Sequence, residues 1–159
     1  MNRDVTISGG VAASGTISIL KEDQQTEMTT IQIPEFQGTT HSNTTYFWVK
    51  NTGNLPVAVY WLISNCHPDS WAIESGGQAY RYMESAETKF RFSINNQINP
   101  DGTTGSGLWN PDPNGNQVVL LNPGQDAKFA IDVLHYYQDV NTPGTFSFTL
   151  SFYARQPET

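Results

Sequence analysis

Apolar and polar residues alternate with a period of two wherever this chain shows a clear pattern. In Thr145–Tyr153, Phe146, Phe148, Leu150 and Phe152 fall on one face and Ser147, Thr149 and Ser151 on the other. Phe129, Ile131 and Val133 alternate in the same way with Lys128, Ala130 and Asp132. Further strand signals stand at Val5–Ser8, Thr16–Leu20, Thr29–Ile33, Tyr46–Lys50, Val57–Ile63, Lys89–Ile94, Val118–Leu121 and Lys128–Tyr137. Turn chemistry separates them, as in Gly9-Gly10, Asn99-Pro100-Asp101-Gly102, Asn122-Pro123-Gly124 and Asn141-Thr142-Pro143-Gly144. No stretch sustains a 3.6-residue period, so helix is expected to be scarce. The pattern predicts an all-β chain forming a single antiparallel β-sandwich, immunoglobulin-like or jelly-roll.

Tyr46–Trp61 departs from the usual half-buried strand. Val57, Val59, Trp61 and Ile63 share one face, yet Ala58, Tyr60 and Leu62 make the other apolar as well. An outer sheet face in an antiparallel sandwich normally reads polar. The expectation is that a long loop or a neighbouring subunit covers it. Asn51-Thr52-Gly53-Asn54-Leu55-Pro56 supplies the reversal between the two runs. Two segments read as long loops, 64–88 and 95–117, the second almost all Asn, Gly, Asp, Pro, Thr and Ser around Leu108-Trp109.

The first fifteen residues are extended in propensity and small. After Asp4 they carry no charge until Lys21, although edge strands are normally guarded by charge or Pro. The segment is therefore either a central strand of its own domain or one that pairs with another copy. On this reading residues 1–15 form an N-terminal donor-type strand and residues 16–159 the β-sandwich domain.

Composition narrows the partners. At 159 residues the chain fits one domain with a sizeable core. Only 14% of it is charged and the net charge is −7, so no basic stripe exists to bind nucleic acid. Low charge with abundant Thr, Ser, Asn and Gln suits an extracellular or cell-surface protein. No run is long and apolar enough for a membrane span. The N-terminus lacks the basic start and apolar run of a signal peptide, and Met1-Asn2-Arg3 is compatible with a start from which a leader has been removed. A single cysteine, Cys66, excludes an intramolecular disulfide.

Chemistry-bearing groups are sparse. Cys66-His67-Pro68-Asp69 lacks the paired spacing of a zinc site, and a buried structural Cys is the better reading. His41 and His135 are isolated and read as packing residues. Asp112-Pro113-Asn114-Gly115-Asn116 copies the first three ligand positions of a calcium loop, but Gln117 and Pro123 stand where Gly and Glu are required. It is no EF-hand. Asp101, Asn110, Asp112, Asn114 and Asn116 remain a candidate Ca²⁺ set, against the plainer reading of a solvated turn. Asp69, Glu74, Glu84 and Glu87 form a second acidic group. Trp71, Tyr80, Tyr82 and Trp109 lie in segments read as loops; they suit a sugar-stacking platform, a core plug or an intersubunit seam, the last two favoured. Asn43-Thr44-Thr45 is a glycosylation sequon, so Asn43 is a candidate glycan site. No phosphate loop, nucleophile elbow or metalloprotease motif is present, and a non-enzymatic role is expected.

The order Val49-Lys50-Asn51-Thr52-Gly53-Asn54-Leu55-Pro56-Val57, Trp71, Leu108-Trp109-Asn110, Leu121-Asn122-Pro123-Gly124-Gln125 and Pro143-Gly144-Thr145-Phe146-Ser147-Phe148 resembles secreted archaeal β-sandwich filament subunits. These are the bundling-pilus, thread and cannula types, with TasA-like matrix fibres of bacteria more distant. The resemblance spans about residues 4–153. It implies a homopolymer built by donor-strand complementation, one subunit's N-terminal strand filling a groove in the next. The donor would be roughly Asp4–Gly15, anchored by Val5, Ile7, Val11 and Ala13. Phe146, Phe148 and Leu150 would line the acceptor groove. Similarity to cannula subunits also implies Ca²⁺ as an assembly aid. The long loops depart from the family pattern and leave lateral contacts open. The alternative is a monomeric secreted module that binds carbohydrate or adheres through its loop aromatics.

Overall fold

The computed structural model describes residues 5–13, 16–33, 42–67, 72–75, 80–84, 89–105, 107, 109, 118–135 and 144–157. Every regular element among them is a strand: β1 (Val5–Ala13), β2 (Ile17–Leu20), β3 (Thr30–Ile33), β4 (Ser42–Asn51), β5 (Val57–His67), β6 (Ala72–Ser75), β7 (Tyr80–Glu84), β8 (Lys89–Ile98), β9 (Val119–Leu121), β10 (Asp126–His135) and β11 (Gly144–Arg155). They make a five-stranded sheet, β3-β1-β11-β5-β9, and a six-stranded sheet, β2-β4-β10-β8-β7-β6. The sheets pack through their apolar faces, so the chain is an all-β sandwich. Phe47 of one sheet meets Phe152 of the other with ring centroids 5.4 Å apart, and Phe129 lies 5.9 Å from Phe47.

One pairing corrects the purely antiparallel expectation. β1 runs parallel to β11, with Val5 beside Gly144 and Ala13 beside Phe152. Alternation sets which face a side chain takes but says nothing about strand direction. On its other side β1 pairs antiparallel with β3 from Ile7↔Ile33 to Gly10↔Thr30. β1 is therefore an interior strand of its own sheet, which explains how it dispenses with guarding charges.

The segments read as loops are more ordered than their composition suggests. β5 continues to His67, and β6 and β7 pair as a hairpin that extends the six-stranded sheet through β7–β8. After a turn closed by Gly102 N–H donating to Asn99 O (2.9 Å), the chain runs back along β8. Gly105 N–H donates to Gln97 O, Asn96 N–H to Gly107 O, and Trp109 N–H to Ile94 O, each at 2.8 Å. This return delivers Trp109 into the core, where it is 2% exposed.

The second apolar face of β5 is largely shielded by side chains of the same sheet. Ala58 lies between Arg155 of β11 and Leu120 of β9 and is 1% exposed. Tyr60 stacks on Tyr153 at 5.2 Å, and the Arg155 guanidinium sits 5.9 Å from the Tyr60 ring. Ala58 and Tyr60 thus find cover on their own sheet, where the sequence had suggested a loop or another subunit.

Candidate functional site

The donor and acceptor residues expected from the sequence lie on adjacent strands of one chain. β11 turns Phe148, Leu150 and Phe152 inward, and β3 turns Ile31 and Ile33 inward. Between them β1 offers little side chain. Gly9 faces the core, and a Cβ built on it would fall 2.6 Å from the Phe148 ring. Phe148 therefore fills the space that Gly9 leaves, a close approach that only glycine permits. Val11 packs half-buried against the core beside Leu150, and Ala13 is exposed. The side chains of Val5, Ile7 and Phe146 lie outside the described residues. The outer surface over this region carries Ser8, Gly10, Thr30, Gln32 and Ser147, with the exposed Lys21 beside them.

Around Gly9 the strand is held by backbone pairing to β3 and β11, with the Phe148 ring filling the space beneath it and Val11 packed against the core. A test of this packing separates the two adjacent glycines. Gly9→Val should displace Phe148 and cost about 1–3 kcal/mol in urea unfolding, as overpacked cores do. Gly10→Val, whose Cβ would meet nothing within 4 Å, should change stability by no more than about 0.5 kcal/mol.

At the end of the sandwich where β1 finishes, the chain is tied by Asn51. This side chain is 0% exposed and uses every polar atom it has. Its Nδ2 donates to Leu55 O (2.7 Å) and Leu121 O (3.0 Å), and its Oδ1 accepts from Gly53 N–H (2.9 Å). Its backbone N–H donates to Gln125 O and its carbonyl accepts from Gly124 N–H, both at 3.0 Å. Gly124 has φ +80°, the conformation a Pro-Gly turn requires at that position. Thr52 then anchors the chain that follows β1: its N–H and Oγ1 both donate to Thr16 O, at 2.7 and 2.8 Å. Beside this knot lies a groove of about 650 Å³ whose lining is apolar at Leu55, Pro56, Val57, Ala154 and Pro157 and polar at Thr16, Asn54, Arg155 and Gln156.

The other sequence candidates are scattered. Asp101 sits in the Asn99–Thr104 turn, where its Oδ1 accepts from the Thr103 hydroxyl (2.6 Å) and N–H (2.9 Å). These bonds, the hydroxyl first, hold its carboxyl below the ordinary carboxylate range. Asn110, Asp112, Asn114 and Asn116, the rest of the candidate Ca²⁺ set, lie outside the described residues. Among the described residues, no group of three or more His, Cys, Asp or Glu is placed to hold a metal ion. Asn43 is half-buried within β4 opposite Val133, so the sequon falls in a paired strand, where sequons are more typical of surface loops. Its Thr44 hydroxyl donates to Asp132 Oδ1 (2.6 Å) and its Thr45 hydroxyl to Gln32 O (3.3 Å).

Trp109 stacks on Phe129 and Phe152 at 4.1 and 5.5 Å and is a core plug, closed to a stacking sugar. Tyr80, Tyr82, Glu74 and Glu84 belong to the β6–β7 hairpin. The side chains of Cys66, His67, Tyr80, Tyr82, Glu74, Glu84 and His135, and residues His41, Asp69, Trp71 and Glu87 entirely, lie outside the described residues. No helix among the described residues is long and apolar enough to cross a membrane. Sequence reasoning missed the Asn51 knot, because its partners at Leu121, Gly124 and Gln125 are some seventy positions away. A comparison of the chain with protein-family models and with curated proteins finds no match.

Proposed function

We propose that this chain is a structural subunit that joins copies of itself by exchanging β1, as in an extracellular filament or tube. The observation that carries the reading is the position and character of β1. It is an uncharged interior strand between β3 and β11, and only residues 14–16 connect it to β2 in the opposite sheet. Taking it out would leave a gap one strand wide between β3 and β11, with the Phe148 ring reaching beneath the Gly9 position. In the single chain β1 fills its own groove, as it would in a self-contained monomer, so polymerisation proceeds by exchange. Exchange replaces the same contacts between copies and costs little in enthalpy. Three features lower its barrier: a short connector, a parallel pairing and two glycines in place of anchoring side chains.

Because β1 is interior, deleting it would damage the fold as well as the joint. A lock is the cleaner test. Gly10 and Thr30 are exposed direct partners on β1 and β3. In a Cys66→Ser background, Gly10→Cys with Thr30→Cys should form an intrachain disulfide that fixes β1 at home. The oxidised protein is expected to remain monomeric by light scattering and to show no fibres by negative-stain microscopy. Reduction should restore assembly, and a chelator arm reports any calcium requirement. Equal assembly by the oxidised and reduced forms would defeat the proposal.

A further inference from the structure

We infer that the apolar groove at Leu55 is a contact surface between copies of this chain, and that copies meet there same end to same end. The inference rests on the exchange of β1 proposed above and follows from strand direction and connector length. β1 lies parallel to β11 in the register Ala13↔Phe152, so its last residue is at the Arg155 end of the sandwich. The chain then reaches Thr16, which Thr52 holds through two hydrogen bonds, and Ile17 pairs with Asn51 at the same end. Both ends of the connector therefore belong to one end of the molecule.

Suppose β1 of one copy enters the groove of another in this register. Ala13 then sits beside Phe152 of the acceptor, while Thr16 stays on the Thr52 turn of the donor. Three residue steps separate them, a reach of at most about 11 Å. The Asn51–Val57 ends of the two copies must come together within that distance. An end-to-end thread running along the strands, with opposite ends touching, is out of reach unless β1 enters in the reversed direction.

The surface at this end fits such a meeting. Leu55 is 69% exposed at the tip of the β4–β5 turn, and Pro56, Val57, Ala154 and Pro157 continue the apolar lining around it. Among the described residues that line it, Arg155 is the one charged side chain and none is a carboxylate, so a same-end contact has to leave the two guanidinium groups at its solvated rim. Reciprocal exchange makes this contact isologous and closes a two-fold pair. One-way exchange leaves a chain that grows across the strand direction.

The test uses the full chain in the Cys66→Ser background. First, Gly10→Cys and Thr30→Cys single variants are mixed and oxidised; a mixed disulfide dimer reports β1 of one copy against β3 of another. Second, Leu55→Cys is treated with a short bis-maleimide under the same conditions. Third, Leu55→Asp is compared with the parent by sedimentation. The expected results are a mixed dimer, a Leu55-linked dimer, and association weakened about tenfold or more by Leu55→Asp, with its monomer unfolding unchanged. A mixed dimer without Leu55 linkage, and with Leu55→Asp associating like the parent, would overturn the same-end contact and leave β1 exchange standing. Absence of the mixed dimer would overturn exchange, and this inference with it.

Discussion

Trp109→Ala is expected to lower the stability of the sandwich by about 4 kcal/mol, the middle of the range for removing a buried indole. Trp109 is reached from a polar segment yet sits between the two sheets. Its ring stacks on Phe129 of the six-stranded sheet and on Phe152 of the five-stranded one. Its Nε1 donates to Val59 O (3.3 Å), and its own carbonyl accepts from Trp61 Nε1 (3.2 Å). Truncation would leave a large apolar void and remove the indole donor from the Val59 carbonyl, two costs that add. Trp109→Phe keeps most of the stack and loses only the indole donor, so it should recover more than half of the loss. Urea unfolding gives the difference directly. Hydrogen exchange adds a local reading: the Asn96 and Gly105 amides, bonded across the strand return that Trp109 pins, should exchange faster in Trp109→Ala even where the rest of β8 is protected. If Trp109→Ala unfolds at the parent's urea midpoint, this indole is not the plug described here.

How much of this was legible in the residue pattern depends on the kind of information each element carries. β11 was plain because four large apolar residues alternate with three small polar ones without interruption. The Asn122-Pro123-Gly124 turn was plain because Pro and Gly stand where their fixed and positive φ values are needed. Alternation alone marked β1 only over Val5–Ser8, with Gly9-Gly10 reading as turn chemistry, while the extended propensity of the first fifteen residues carried the strand further. Pairing to β3 and β11 carries it through Gly9-Gly10, and Phe148, a ring from 139 positions after Gly9, fills the space that Gly9 leaves. Its parallel direction left no trace in the alternation at all. For Trp109 a core plug was one of the two favoured readings, but one aromatic in a run of Asn, Gly and Pro has no period, and how it reaches the core appears only once the chain returns along β8. Phe148, Leu150 and Val11 were legible as apolar positions, and they do lie in or against the core on adjacent strands. That β1 fills the groove within the same chain, and that its connector is pinned at Thr16, needed the fold.

Asn51 illustrates a polar residue whose burial is tolerable only because nothing about it is left unpaired. Replacing it with Leu, close in volume, should cost about 3 kcal/mol and lower the melting temperature by roughly 10 °C. Gly53 N–H, Leu55 O and Leu121 O each lose a partner, and the bond to Leu121 O is buried. Asn51→Asp gives a sharper result because its cost depends on pH. A carboxylate there would face the Leu55 and Leu121 carbonyl oxygens in place of the amide donor, with no solvent to compensate. Burial and those oxygens raise its folded-state pKa above the ordinary value of about 4. The folded state then holds its proton more tightly than the unfolded state, so stability falls as pH rises through the folded pKa and returns below the unfolded one. The Asn51→Asp variant should therefore unfold well below the parent at pH 7 and close part of that gap near pH 4. The protonated acid restores one donor of the original two, so the gap should not vanish. Thermal melts of parent and variant at both pH values decide the matter. A constant difference across that range would mean that the side chain at position 51 escapes to water, and that the two turns are held together by the backbone bonds to Gly124 and Gln125 alone.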